Sequence, residues 1–299
     1  MARLVKMGAQ AVGEGAISAT PEYAAAVALA AALHDPAFWT PMTWAVGLFQ
    51  RPGEMPRFVI AGQEGASWTP PGLYLPDGVV AAHHDPSIDA DVRAMWRGLP
   101  PAMVLAGWAR INAEVPAVVV VREHEAVLHA LFPRETVLVA CSGVTPPDPN
   151  PLMNRAGRHR LQVSSPDAWW PEVVATPADQ FGVAIRQVVA AVVEGHDAAG
   201  TPNALLRAAV VEQLRRGTRP TPELLAALRD EVGEARIQMI WARGPAAPTP
   251  PLQPGWNAGL VRAEQAIRMW ECLTIALGEP TAERLADVTH AGAAAGLSR

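Results

Sequence analysis

The chain has 299 residues, of which 18% are charged, and its formal net charge is −5. This acidic balance argues against a general nucleic-acid-binding protein, which needs a basic surface to neutralise phosphates. Lys6 is the only lysine and follows no glycine-rich loop, which excludes P-loop nucleotide binding, protein kinase chemistry and pyridoxal Schiff bases.

The first third of the chain predicts a helix followed by a hairpin. A helix is expected at 21–33, because Thr20 can cap its first turn and Pro21 suits its first position. Short strand patterns at 43–49 and 57–61 are joined by the turn RPGEMP, which predicts a hairpin. An extended stretch with a bend follows at 67–76, where two prolines precede a glycine.

The middle of the chain predicts one long helix and further strands. The helix is expected at 89–112, with a kink at Pro100-Pro101. Apolar runs at 117–121 and 136–141 predict buried strands with a short helix between them, and 160–164 is interpreted as a further strand. The proline-rich segment 142–157 is predicted to be a long loop, and its length favours a functional or mobile segment.

Behind Thr176 the amphipathic spacing predicts helices to the end of the chain. Thr-Pro pairs at 20–21, 176–177, 201–202 and 221–222 are typical of helix starts, and Thr281 is expected to cap the last helix. The predicted fold class is therefore α+β, with a small mixed or antiparallel sheet and helices in the N-terminal half and an all-helical bundle in the C-terminal half. We predict a mixed domain at 1–175, a connecting helix and linker at 176–200 and a helical domain at 201–299.

Two histidine patterns come close to metal-binding motifs. His124 and His129 are five residues apart, one more than the spacing that places two zinc ligands on one helix face. The run His83-His84-Asp85 leads into a proline and favours a turn. We therefore expect no metal site and no cofactor.

Cys141 has the placement of a nucleophile, because it stands at the end of a predicted strand and is followed by Ser142-Gly143. No G-x-S-x-G elbow surrounds it, and sequence cannot name a partner histidine. Cys141 and Cys272 are isolated from each other in the chain, so neither a disulfide framework nor a zinc cluster is indicated. A buried structural thiol is the favoured interpretation for Cys141.

The densest charge cluster is the segment that carries Arg155, Arg158 and Arg160. Guanidinium groups so close together can hold a phosphate or an acidic partner. Trp169 and Trp170 follow, and exposed tryptophans are common contact anchors. These five residues form the predicted binding site, and the competing interpretation is a solvated loop with a tryptophan pair packed between domains.

Three short motifs carry a family resemblance: AVG at 45–47, WTPPG at 68–72 and LP at 75–76. Together they resemble uncharacterised actinobacterial, mycobacterial-type two-domain proteins encoded near type VII secretion systems. The resemblance implies a helical C-terminal domain, similar to residues from about 200 onward. It transfers no catalytic residues, since tryptophan and two prolines set a bend and offer no proton chemistry.

The favoured function is that of a non-catalytic accessory or regulatory protein that binds another protein, with a link to type VII secretion. Low charge and half hydrophobic residues favour a protein partner or a homo-oligomer. No secretory signal is visible in MARLVKMGAQ, and the apolar stretch 23–33 is too short to span a bilayer, so a cytoplasmic location is expected. The alternatives are a hydrolase or transferase with a site near Cys141, or a degenerate enzyme fold without activity.

Overall fold

The structure, a computed structural model, combines a mixed sheet with helices. It describes residues 20–36, 38, 43–51, 53–62, 69–96, 99–122, 128–165, 167–195, 209–210, 212–213, 216, 218–242 and 254–295. Across these residues the fold is α+β, as the sequence predicts. The chain divides into two compact units, Met1–Val163 and Ser164–Arg299.

The first unit is built on strands that run in both directions. The strands are β1 (Trp44–Phe49), β2 (Arg57–Gly62), β3 (Tyr74–Leu75), β4 (Val79–Ala81), β5 (Pro116–Val121), β6 (Val137–Ala140) and β7 (Arg158–His159). Its described helices are Pro21–Leu33, Ala90–Met95, Pro101–Ile111, Leu128–Leu131 and Arg160–Ser164, with 3-10 turns at Ala82–His84 and Pro151–Met153.

Five of these strands form the main sheet in the order β4-β2-β1-β5-β6. The β1–β2 hairpin is antiparallel, as predicted, and β1 also pairs antiparallel with β5. The outer pairs β2–β4 and β5–β6 are parallel. β3 and β7 pair separately as a short antiparallel ribbon. The described edges of the main sheet are therefore β4 and β6.

A helix covers each face of this sheet. Alternate strand residues such as Val46, Ile60 and Val120 pack on one face in a cluster with helix Pro21–Leu33. That helix is rich in alanine and is buried from Ala24 to Leu33, so its small side chains let it lie close to the strands.

The opposite face of the sheet packs against helix Pro101–Ile111. Gly47 makes that close approach feasible. A Cβ atom at this position would lie 2.6 Å from Phe49 Cε2 and 3.0 Å from Leu105 Cδ2.

Threonine caps mark three of the described helix starts. The Thr20, Thr221 and Thr281 hydroxyls each accept a backbone N–H from the first turn of their helix, at 3.1–3.3 Å. At Thr176 the predicted cap is wrong. Its hydroxyl donates to Glu172 O at 2.8 Å and so closes helix Trp169–Ala175. The pair at 201–202 lies outside the described residues.

Two predicted elements differ from the structure. The helix expected at 89–112 is two helices, because Pro101 keeps the residue before it out of helical geometry and Pro100 is extended at φ −54°, ψ 141°. The segment 160–164, predicted as a strand, is a short helix that follows β7. The strand prediction is wrong here because the pairing of β7 with β3 ends at His159.

The second unit consists of helices in its described part. They are Trp169–Ala175, Phe181–Gly195, Pro222–Ala242, Pro254–Ala276 and Ala282–Ala294, with a 3-10 turn at Ala178–Gln180. Helix Phe181–Gly195 contacts both Pro254–Ala276 and Ala282–Ala294. Its residues Ile185, Val189 and Val192 are buried.

The core of this helical unit includes a buried ion pair. Arg268 Nη1 donates to Glu271 Oε2 at 2.8 Å, and both side chains are almost fully buried. Burial lowers the pKa of Arg268 to about 10, although Glu271 opposes the shift. Glu264 is also buried and lies one turn before Arg268 on the same helix face. A charged helix face therefore points into this unit and not to solvent.

The domain limits 1–175, 176–200 and 201–299 stay a prediction, which two fragments test. We expect residues 164–299 to melt cooperatively and at a higher temperature than residues 201–299, which lack helix Phe181–Gly195. Each of its three buried aliphatic side chains contributes about 1.5–3 kcal/mol when removed from water. Circular dichroism melts of both fragments make the measurement. Equal melting temperatures would instead favour a boundary near 201.

Candidate functional site

Cys141 directly follows β6, at the end of the strand as predicted from the sequence. Its N–H donates to Val121 O at 2.8 Å and continues the parallel pairing of β5 and β6. Ligand sites in open α/β sheets often lie at the carboxyl ends of strands, so the location suits chemistry. The side chain, however, is buried and only 4% exposed.

His34 is the histidine closest to this sulfur among the contacts described, with Nδ1 3.7 Å from Cys141 Sγ. Both nitrogens of the His34 ring already form hydrogen bonds to backbone groups. Trp44 N donates to Nε2 at 3.1 Å, which requires that nitrogen to be unprotonated. Nδ1 therefore carries the proton, and it donates to Ala30 O at 2.7 Å. In this tautomer Nδ1 cannot accept a proton from the thiol.

Burial keeps both groups neutral. It raises the pKa of the Cys141 thiol, against a weaker opposing effect of Arg122. Burial likewise lowers the pKa of His34, while the bond to Ala30 O opposes that change. A thiolate–imidazolium pair, the reactive form in cysteine enzymes, is therefore disfavoured. The contact between Cys141 and His34 holds the two elements together and activates neither group.

Asn150 extends this polar centre to the long loop at 142–157. Its Nδ2 donates to Ala32 O at 3.0 Å and to Asp35 Oδ2 at 2.8 Å, and its Oδ1 accepts Leu152 N at 2.9 Å. The loop is thus tied to the end of helix Pro21–Leu33. Proline content marked this segment in the sequence, but nothing local indicated its anchor.

The three predicted binding arginines occupy different environments. Arg160 is 1% exposed, and its Nη1 donates to Thr69 O at 2.8 Å. Arg158 is half-buried, and its Nη2 donates to Val79 O at 2.5 Å. Arg155 is exposed in the turn before β7. Of the three arginines, Arg155 is therefore the most exposed, Arg158 is partly exposed and Arg160 is buried.

The predicted tryptophan pair lies in the second unit. Trp169 and Trp170 begin helix Trp169–Ala175, and both are half-buried. Val174 on the same helix is 65% exposed. A contact role for the two tryptophans stays a prediction.

The run His83-His84-Asp85 is buried, in and just after a 3-10 turn. Asp85 accepts Ser87 N, Ser87 Oγ and Trp108 Nε1 at 2.6–2.9 Å. Burial alone would raise the pKa of Asp85, but these hydrogen bonds outweigh it and lower the pKa. The carboxylate thus organises a turn and a helix, as the turn interpretation implies.

The described residues contain no group of three or more His, Cys, Asp or Glu side chains arranged to hold a metal ion. His129 is exposed on helix Leu128–Leu131, and His124 lies outside the residues that the structure describes. Within the same limits, no helix has the length and apolar character needed to cross a membrane.

Comparison with known proteins finds one family. The family of the EspK C-terminal domain matches residues 35–216. No curated protein matches the chain.

One solved structure that resembles the chain is a fragment of conserved hypothetical protein Rv3899c (residues 184–410) from Mycobacterium tuberculosis. It is 14% identical, with a TM-score of 0.38, and the likeness covers 92% of this chain and 93% of that one.

The arginines can be separated by stability. Arg160→Ala should lower the free energy of unfolding by about 1–3 kcal/mol, because it leaves the buried Thr69 carbonyl without its donor. Arg155→Ala, an exposed change in the same segment, should alter it by less than about 0.5 kcal/mol. Urea unfolding of both variants measures the two values. Equal effects would mean that the guanidinium of Arg160 adds nothing to the fold.

The tautomer of His34 predicts a pH dependence of stability. Its pKa in the folded state lies below the ordinary value of 6.5, so the unfolded chain takes up a proton first as the pH falls. The contribution of His34 is thus complete above that value and declines below it. The stability lost in His34→Gln should be larger at about pH 7.5 than at about pH 5.5.

The control for this series is His129→Gln, which removes an exposed histidine. Denaturant unfolding at both pH values gives the loss of unfolding free energy for each of the two variants relative to the wild type. A His34→Gln deficit that does not change with pH would contradict a neutral, Nδ1-protonated ring.

Proposed function

The chain belongs to the EspK C-terminal domain family, and from that membership we propose that it is a protein-binding accessory or regulatory protein of type VII secretion. It carries out no reaction of its own. A cytoplasmic location is part of the same proposal.

The family match is the observation that carries this proposal. It spans 35–216, which includes the whole five-stranded sheet. The motifs AVG at 45–47, WTPPG at 68–72 and LP at 75–76 lie inside that range, so the resemblance to proteins encoded near type VII secretion systems points the same way.

The geometry of Cys141 supports a non-catalytic role. The alternative, a hydrolase or transferase, needs a thiol that can ionise beside a base that can accept its proton. Here burial raises the pKa of the thiol, and the neighbouring His34 nitrogen already carries a proton donated to Ala30 O. A degenerate enzyme fold is compatible with the same facts and differs only in origin.

We place part of the partner contact at the turn that carries Arg155. Asn154 holds this turn, because its Oδ1 accepts Ala156 N at 3.0 Å and its carbonyl accepts Gly157 N at 2.9 Å. Gly157 lies so close to β3 that a Cβ there would be 3.0 Å from Leu75 O. An exposed guanidinium on a turn held in this way is suited to a carboxylate of an acidic partner. Trp169 and Trp170 are proposed as a second contact.

Affinity capture from the native organism tests the proposal. We expect tagged full-length protein to retain components or substrates of a type VII secretion system, identified by mass spectrometry. Arg155→Glu should reduce capture several-fold, because charge reversal repels an acidic partner. Arg110→Glu, an exposed change on helix Pro101–Ile111, is the matched control and should leave capture unchanged.

Two further outcomes decide between the alternatives. Captured proteins without any relation to secretion would contradict the pathway link. Cys141→Ser should retain binding and function, since the thiol has no chemical role in the proposal. Loss of function in a folded Cys141→Ser protein would restore the enzyme alternative.

A further inference from the structure

The two described edges of the main sheet differ in how well they suit pairing with another strand. β4 is three residues long, and the carbonyl of Val79 on it accepts a hydrogen bond from the Arg158 guanidinium. An edge that is short and covered by an arginine is poorly suited to pairing with another strand. β6 forms the other edge in the described sheet.

The outer side of β6 presents backbone groups that no described backbone group of the first unit pairs with. Cys141 N donates to Val121 O, so alternate residues along this strand direct their backbone groups to β5. The N–H and C=O groups of Leu138 and Ala140 then face outward. Within the described residues, no backbone hydrogen bond reaches them.

Side chains on β6 also lack the usual protection of an edge. The strand reads Val-Leu-Val-Ala, without a charge or a proline, and Val137 is 49% exposed. Leu138 is a partly buried neighbour of one core cluster, and Val139 of the other. An added strand would therefore need apolar side chains on both of its faces.

We propose that β6 pairs antiparallel with β6 of a second copy of this chain. β6 itself fits this requirement, because it is uncharged and apolar on both faces. Antiparallel pairing across a two-fold axis is isologous, so every contact is made twice and the sheet continues from one copy into the other.

Charge complementarity favours the same occupant. Centring the pairing on Val139 places Leu138 of one copy opposite Ala140 of the other, so that the outward N–H and C=O groups of these two residues can exchange hydrogen bonds. Glu135, which precedes the strand, then lies beside the end of the other copy's β5–β6 pair, where Arg122 follows β5. Both residues are exposed, so each end of the strand pair brings opposite charges together. A four-residue strand gives a small interface, and the dimer should be weak and dependent on concentration.

Sedimentation velocity of the full chain over a range of concentrations tests the proposal. The wild type should show a monomer–dimer equilibrium. Val137→Lys puts a charge on the edge, and Ala140→Pro removes an outward N–H that no described backbone group accepts. Each variant should raise the dissociation constant by about tenfold or more. Met55→Lys is the control, because Met55 is 74% exposed but lies in the β1–β2 turn, and β5 separates both of these strands from β6.

Amide hydrogen exchange of the wild type supplies a second measurement that needs no variant. The N–H groups of Leu138 and Ala140 should become protected as the protein concentration rises. A wild type that stays monomeric, variants that dimerise as it does, or exchange that does not change with concentration would each overturn the proposal. Protection that appears only when a different protein is added would assign the edge to a heterologous partner.

Discussion

The imidazole of His34 is the contact on which the centre of the first unit depends. It accepts the N–H of Trp44 at the start of β1 and donates to Ala30 O in the preceding helix, while Cys141 lies 3.7 Å away. Asn150 adds the long loop to the same helix end. Buried polar groups must be paired, so this one helix terminus sets where a strand, a loop and a thiol can lie.

The same requirement disfavours a reactive thiol at a location that would suit chemistry. A nucleophilic cysteine needs solvent or a charged neighbour to stabilise its thiolate, and burial here acts the other way. His34 could serve as a base only by giving up its bond to Ala30 O. These side chains connect the helix Pro21–Leu33, the strand β1 and the end of β6.

Arginines in both units are buried where the sequence pattern alone would suggest that they are exposed. Arg160 belongs to a charged segment that the sequence predicts to be exposed, but its side chain is buried and donates to the Thr69 carbonyl. Arg268 belongs to an amphipathic helix, yet it pairs with Glu271 inside the helical unit. A charged residue is far more often exposed than buried, and only an acceptor supplied by the fold reverses that preference.

The sequence by itself determined the elements whose signals are local. Threonine caps located helix starts at 20, 221 and 281, and apolar runs located β1, β2, β5 and β6. Composition excluded the chemistries that need a placed lysine. At Pro100-Pro101 the predicted element type was right but its continuity was wrong, because the extended backbone of Pro100 prevents one continuous helix.

Only the tertiary structure decided which residues meet. His34 and Cys141 are 107 residues apart in the chain, and Arg160 and Thr69 are 91 apart. No periodicity or cap encodes such pairings, since they follow from strand order and from where each helix crosses the sheet. Whether β6 is central or at an edge is decided by the same topology, because an apolar run of valine and leucine predicts a strand in either place.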